Sequence, residues 1–219
     1  MSACPVRFAG HIFAARPSGA LWWPAERALI VADLHLGKSE RMARRGGALL
    51  PPFETRDTLS RLMAEARATD PARLLLLGDT FDDTAAAAAL PPQDRALWDT
   101  LRRTWHCAEI AGNHDPTGAP ELSLAGIALR HIAEAGQGPD ISGHYHPKLR
   151  LAGVARRAFV VGQAHLILPA FGAYTGGLWA DDPAIAALVP RGIAVLTGPR
   201  AVPVPIGAGR RAPLRGAGG

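Results

Sequence analysis

Uninterrupted apolar runs of strand length mark the first two thirds of the chain. Ala28-Leu29-Ile30-Val31-Ala32 and Leu74-Leu75-Leu76-Leu77 show no polar alternation, which predicts strands buried on both faces of a sheet. Cys107-Ala108-Glu109-Ile110-Ala111 and Pro139-Asp140-Ile141-Ser142 are weaker versions of the same pattern. Leu59, Leu62, Met63 and Ala66 recur at helical spacing within Thr55 to Ala66, just after Pro51-Pro52, and predict an amphipathic helix that covers the sheet. Ala85 to Ala89 reads as a helix or a packed loop stopped by Pro91-Pro92, and those prolines suit the first turn of a second helix through Trp98 and Leu101. From about Leu149 the pattern changes to short β segments, among them Phe159-Val160-Val161, His165 to Leu168 and Ile193 to Leu196. Strands alternating with helices, then strands following strands, predict an α/β fold in which a second sheet stacks on the first. With 219 residues and no internal repeat or interior linker, residues 1–206 read as one domain. Residues 207–219 are Gly, Ala, Pro and Arg with almost nothing apolar, and read as a disordered tail.

Each of the four strand-like runs ends in a cluster of carboxylate, amide or imidazole groups. These are Asp33-Leu34-His35, Gly78-Asp79 through Asp83, Gly112-Asn113-His114-Asp115, and Gly143-His144-Tyr145-His146. Open α/β sheets keep their sites at the carboxyl ends of their strands. Hard oxygen and imidazole groups are the ligands that Mn, Fe or Zn accept. The four clusters together predict a binuclear metal site. Two ions about 3.5–4 Å apart share a carboxylate and clamp the attacking and leaving oxygens of a phosphoryl centre, and Asp79 is the expected bridge. Asp33 and His35 are spaced to turn to one ion, and Asn113 offers a neutral oxygen. His144 and His146 face either one ion or two, which spacing leaves open. His131, at the end of Leu129-Arg130-His131, is a further candidate. His11, His106 and His165 stand alone among apolar neighbours and read as packing or surface, and Cys107 as a small buried hydrophobe.

Charge and cysteine usage add less. The net charge is +5, yet only two of the 24 basic residues are lysines, Lys38 and Lys148, in a chain heavy in Ala, Gly and Pro. A high-GC coding bias accounts for much of that basicity. The local cluster Lys38, Arg41, Arg44 and Arg45 matters more, because it follows the first metal motif and is placed to hold phosphates through charge-assisted bonds. Arg102-Arg103 and Arg156-Arg157 read as solvated surface. Cys4 and Cys107 form no Cys-x-x-Cys motif and read as reduced thiols of a cytoplasmic protein. No stretch is apolar enough for a signal peptide or a membrane span, so no membrane partner is expected.

The order of the four metal motifs resembles that of the calcineurin-like metallophosphoesterases, over most of residues 28–147. Further segments narrow the resemblance: Asp33 to Lys38, Leu50 to Thr55, Gly112 to Pro116, Arg156-Arg157 and Leu168 to Gly177 are similar to the bacterial ligase-associated DNA damage response endonucleases, the PdeM family. That resemblance spans nearly the whole chain. It implies two stacked mixed β-sheets flanked by helices, an α/β/β/α sandwich. It implies one metal on Asp33, His35, Asp79 and His146, and a second on Asp79, Asn113, His131 and His144. His114 matches the histidine that contacts the scissile phosphate and protonates the leaving group. The implied activity is Mn-dependent phosphodiester cleavage in DNA by metal-hydroxide attack, in DNA repair, with Fe or Zn as alternative ions. The implied partners are DNA and a DNA ligase, a helicase and an exonuclease-like protein encoded nearby. Two departures stand out: Asp82 occupies a position where the family carries His, and His131-Ile132-Ala133 lacks the proline of a His-x-Pro motif. A phosphoesterase for small nucleotides or phosphoproteins would share the site, and a non-catalytic repair scaffold is the remaining reading.

Overall fold

The strands that carry the metal motifs lie side by side at the centre of a two-sheet structure. The computed structural model describes residues 2–47, 51 and 53–207. The chain opens with β1 (Cys4–Phe8), β2 (His11–Ala15), β3 (Leu21–Trp23) and β4 (Ala28–Val31), an antiparallel meander. It continues through α1 (Lys38–Arg44), α2 (Glu54–Thr69), β5 (Arg73–Leu77), α3 (Ala86–Ala89), α4 (Pro92–Thr104) and β6 (His106–Ile110). β4, β5 and β6 are parallel, completing a mixed sheet in the order β1-β2-β3-β4-β5-β6. The second half contributes β7 (Leu122–Leu124), β8 (Ile127–Leu129), β9 (Asp140–Ser142), β10 (Lys148–Leu151), β11 (Val154–Val161), β12 (His165–Ile167), α5 (Pro183–Leu188), β13 (Gly192–Leu196) and β14 (Val202–Ile206). These strands form a second mixed sheet, β14-β13-β11-β12-β9-β8-β7, with β10 paired to the first half of β11.

The period-2 geometry of a strand explains why both faces of β4 are apolar. Ala28 and Ile30 face the second sheet, in a core shared with Ile141, Phe159, Leu166 and Val195. Leu29 and Val31 face the helices, where Leu59, Leu62 and Met63 of α2 and Trp98 and Leu101 of α4 cover them. A third cluster covers the far side of the second sheet, with Val160 and Ile167 packed under Ile185 of α5. The layers are therefore helix, sheet, sheet, helix, the α/β/β/α sandwich expected.

The expected helices are present as α2, α3 and α4, and the expected strands as β4, β5, β6, β9, β11, β12 and β13. Leu50, Pro52 and the tail from 208 onward, including most of the segment expected to be disordered, lie outside the described residues. Arg157 corrects an expectation. It is half-buried rather than a solvated surface residue: its Nη1 donates to the carbonyl of Ala170 at 3.1 Å, and burial together with the nearby Arg61 pushes its guanidinium below its ordinary range. With Arg61, which donates to Phe171 O at 2.9 Å, it anchors the segment that crosses from one sheet to the other. Among the described residues no helix is long and apolar enough to cross a membrane.

The core between the sheets is the fold's main source of stability. Phe159 is fully buried there, so Phe159→Ala should cost about 3–5 kcal/mol. Val154, 55% exposed on the same strand, should change stability by less than about 0.5 kcal/mol when cut to Ala. Chemical denaturation of both variants checks the contrast.

Candidate metal centre

The loops that leave β4 and β5 zip together beyond the ends of their strands. His35 N donates to Asp79 O at 2.9 Å, Leu36 N to Thr80 O at 3.0 Å, and Asp82 N to Leu36 O at 3.0 Å. The second sheet joins the same edge, because Phe171 N donates to Ala32 O at 2.9 Å and Gly172 N to Asp33 O at 3.0 Å. This scaffold holds an unusual backbone. Asp33, His35, Asp79, His144 and His146 all have positive φ, between 46° and 69°. For a residue with a Cβ such a conformation is uncommon and costs about 1–3 kcal/mol where it persists. Five of the seven expected ligands share it.

Two carboxylates lie at the centre, and each is divided in function. Asp33, fully buried, accepts the backbone N–H of His144 on Oδ2 at 3.0 Å, leaving Oδ1 to face His146 Nε2 at 3.2 Å and His131 Nδ1 at 3.7 Å. Asp79, 2% exposed, accepts the N–H of His114 on Oδ1 at 2.8 Å, and its Oδ2 faces His131 Nε2 at 3.4 Å and His35 Nε2 at 3.9 Å. Backbone approaches each carboxylate so closely that no side chain fits between. A Cβ on Gly112 would sit 2.0 Å from Asp79 Oδ1, and one on Gly143 would sit 2.5 Å from Asp33 Oδ2.

The imidazoles and Asn113 close the site. His131 Nδ1 lies 3.0 Å from the carbonyl of Leu77, an acceptor that requires the proton on Nδ1. Nε2 then points at two more acceptors, Asn113 Oδ1 at 2.9 Å and Asp79 Oδ2 at 3.4 Å. Asn113 Oδ1 also lies 3.0 Å from His144 Nδ1. Lone pairs turned on lone pairs need a cation between them, either an added proton or a metal ion. Without an ion, the charges around the site favour the added proton. Burial lowers the His131 pKa, but its contact with Asp79 and the charge of Asp33 outweigh that and raise it. In the same way burial works to raise Asp79, yet His131, the His114 N–H and His35 hold it well below the usual carboxylate range. His144 is pushed down, first by burial and then by the neighbouring His131.

Several buried ligand atoms find no hydrogen-bond partner within the protein: Asp33 Oδ1, His35 Nε2 and His146 Nε2. Orphaned buried acceptors are costly, and a bound cation is the usual reason that a structure keeps them. Two sets fit a metal by proximity, Asp33 with His35 and His146, and Asp33 with Asp79 and His131, each set with its ligand atoms within 4.8 Å of one another. The donors present fit divalent metal in kind. Asp33 belongs to both sets, while Asp79 Oδ2 faces both His35 and His131.

Asp82, the departure noted in the sequence, is 1% exposed and sits behind His35. Its Oδ1 lies 2.9 Å from His35 Nδ1, off line for a hydrogen bond, and 3.8 Å from Lys38 Nζ, while Oδ2 lies 2.5 Å from Arg41 Nε. Burial raises its pKa, but His35, Lys38 and Arg41 outweigh burial and lower it. The carboxylate thus faces Nδ1 of His35 while Nε2 faces the site, the placement from which a carboxylate orients a metal-binding histidine. The basic cluster expected to hold phosphates is engaged by the same acids. Lys38 and Arg41 face Asp82, and Arg44 and Arg45 face Asp83 at 3.1 and 3.9 Å, with Arg44 also on Glu40 at 2.6 Å.

Outside the centre, His165 is buried against Asp140 at 3.0 Å, and His11 stacks edge-on against Trp23 with ring centres 4.9 Å apart. Cys107 is pushed up to about 11, by burial and then by Glu109, which makes it an unreactive thiol. What sequence reasoning missed is the Leu77 carbonyl behind His131 and the pairing of Asp82 with His35. The first is backbone and carries no residue signal; the second was visible only as a departure from a motif.

Comparison with protein-family models and with curated proteins finds no match. Among solved structures the chain is similar to the Pseudomonas putida nuclease MPE, at 27% sequence identity and a TM-score of 0.74, over 93% of this chain and 100% of that one. The two-sheet sandwich is thus similar in fold to a solved nuclease.

If Asp82 sets the tautomer of His35, then Asp82→Asn should weaken divalent-metal affinity about 10–100-fold while the fold persists. Equilibrium dialysis against Mn, with circular dichroism as the control for folding, reads the outcome.

Proposed function

We propose that this chain is a metal-dependent phosphodiesterase that acts as a DNA endonuclease in DNA repair, with two divalent ions at its site. The observation that carries the reading is the convergence of buried, partnerless carboxylate and imidazole atoms at the carboxyl ends of the strands. Similarity to a solved nuclease over nearly the whole chain supports the choice of nucleic acid as substrate. The motif resemblance to the ligase-associated endonucleases supports DNA, Mn as the first choice of ion, a cytoplasmic repair setting, and a DNA ligase, a helicase and an exonuclease-like protein as associates.

One ion would be held by Asp33, His35, Asp79 and His146, and the other by Asp79, Asn113, His131 and His144. Divalent ions in such a pair supply Lewis-acid polarisation of a phosphoryl oxygen and a water acidic enough to ionise near neutral pH. The protein's own contribution is to hold these ligands rigid. Asp33 and Asp79 cannot swing, because one oxygen of each is tied to a backbone N–H. His131 cannot flip without losing Leu77 O.

His114 is the proton donor in this reading. Its backbone N–H is fixed on Asp79, and its ring stands edge-on to His35 with centres 5.3 Å apart. Among the described residues the ring makes no hydrogen bond, and it is half-buried at the mouth of the site. A sugar alkoxide is a poor leaving group and needs a proton in the transition state, a contribution of about 10²–10⁴-fold. A nitrophenolate needs almost none.

The purified protein with Mn should cleave plasmid and single-stranded DNA. His114→Ala should lose about 10²–10⁴-fold on DNA and far less on a nitrophenyl phosphodiester, with metal content unchanged. Asp33→Ala should lose activity on both. Equal losses on both substrates in His114→Ala would remove the proton-donor role, and absence of cleavage by the metal-loaded protein would remove the nuclease reading.

A further inference from the structure

The cations that sequence reasoning placed at the phosphate are paired with acids, whereas two cations just after His146 are not. β10 begins directly after the ligand His146 and Pro147, and it carries Lys148 and Arg150. Strands rise about 3.3 Å per residue, which places these two positions about 7 and about 13 Å along the chain from His146. Neither makes an ion pair among the described residues, in contrast to Lys38, Arg41, Arg44 and Arg45.

Both are held by an aromatic ring instead. Lys148 Nζ lies 4.6 Å from the ring centre of Trp179, and the Arg150 guanidinium carbon lies 5.4 Å from it. An indole attracts a cation without neutralising its charge, so both charges stay available to an incoming anion. The ring is itself well anchored. Lys148 N donates to Leu178 O at 2.9 Å, Ala180 N to Lys148 O at 2.9 Å, and Leu178 N to Tyr145 O at 3.1 Å, so the Trp179 segment runs beside the chain that bears His144 and His146. Gly177 makes this approach possible, since a Cβ there would lie 2.0 Å from His146 O. Trp179 is 37% exposed and Arg150 is exposed, and with Leu149 and Asp181 they line a shallow hollow of about 290 Å³. Asp181 forms no ion pair with either cation among the described residues.

We infer that Lys148 and Arg150, held over Trp179, form a contact surface for the phosphodiester backbone of the nucleic-acid strand on the His146 flank of the metal centre. The inference rests on the nuclease reading for its choice of partner, and binding tests it without turnover. The probe is a thymidine oligonucleotide with phosphorothioate linkages, titrated by fluorescence anisotropy against the full chain loaded with Mn over a series of salt concentrations. Each lost single-strand phosphate contact flattens the log-log salt slope by about 0.7. Lys148→Ala with Arg150→Ala should therefore flatten it by about twice that, and the charge-keeping pair Lys148→Arg with Arg150→Lys should restore it. Trp179→Leu should weaken binding, and Trp179→Tyr should recover most of the loss. A slope unchanged by the double Ala variant overturns the contact, as does an unaltered protein that shows no salt-dependent binding. A protein that binds through these cations and never cleaves ordinary DNA would keep the contact and overturn the nuclease reading instead.

Discussion

Two carboxylates are buried side by side, each with one oxygen tied to a backbone N–H and the other left facing imidazole nitrogens. Asp33 Oδ1 and Asp79 Oδ2 look at His131 from two sides, and at His146 and His35 beyond it. In a dry interior, unpaired negative charges cost several kcal/mol each unless a cation compensates them. Protonated histidines offer partial compensation, and the opposed directions in which His131 and Asp79 are shifted express it. Two divalent ions offer more. Bound there, they would satisfy Asp33 Oδ1, His35 Nε2 and His146 Nε2 together.

That constraint explains features that look wasteful in isolation. Left-handed backbone at Asp33, His35, Asp79, His144 and His146 costs about 1–3 kcal/mol per residue. The hydrogen bonds that zip the β4 and β5 loops together, and those from Phe171 and Gly172 to Ala32 and Asp33, enforce it. The apolar layers on either side of β4 and β5 supply the rigidity on which the loops depend. The fold is thus a stiff base carrying a strained rim. Strain of this kind places ligand atoms in one cavity although their residues span Asp33 to His146.

The parts of this arrangement that were legible in the sequence are those written in residue type over short distances. The runs at 28–32 and 74–77 read as doubly buried strands because each position is apolar, and both faces of those strands are covered. The motifs at their ends read as ligands because Asp, Asn and His recur after each run. β1 to β3 were not read from the sequence. Their burial alternates, as at Cys4, Val6 and Phe8, and Pro5 interrupts the pattern. Helix α1 was read as a basic cluster, because the acids that organise it, Asp82 and Asp83, lie some forty residues further on. Arg157 was read as surface because an arginine that donates to backbone carbonyls leaves no trace in its neighbours. Positive φ at five non-glycine positions has no signature in residue type at all. Trp179 likewise gains meaning only from the chain that folds against it.

The central claim is that the buried acceptors are a binding site for two ions, and a metal titration of the metal-free protein tests it most directly. Isothermal titration with Mn, repeated as thermal unfolding at increasing Mn, should give two ions per chain and a melting temperature that rises with concentration. Binding at a thousandfold excess over Kd stabilises a folded chain by about 4.1 kcal/mol per site. Asp79→Asn should abolish most of that rise, because Asp79 is common to both proposed ligand sets and its Oδ2 faces both His35 and His131. A protein that takes up no Mn, or one whose melting temperature rises equally with Asp79 intact or replaced, would contradict the account.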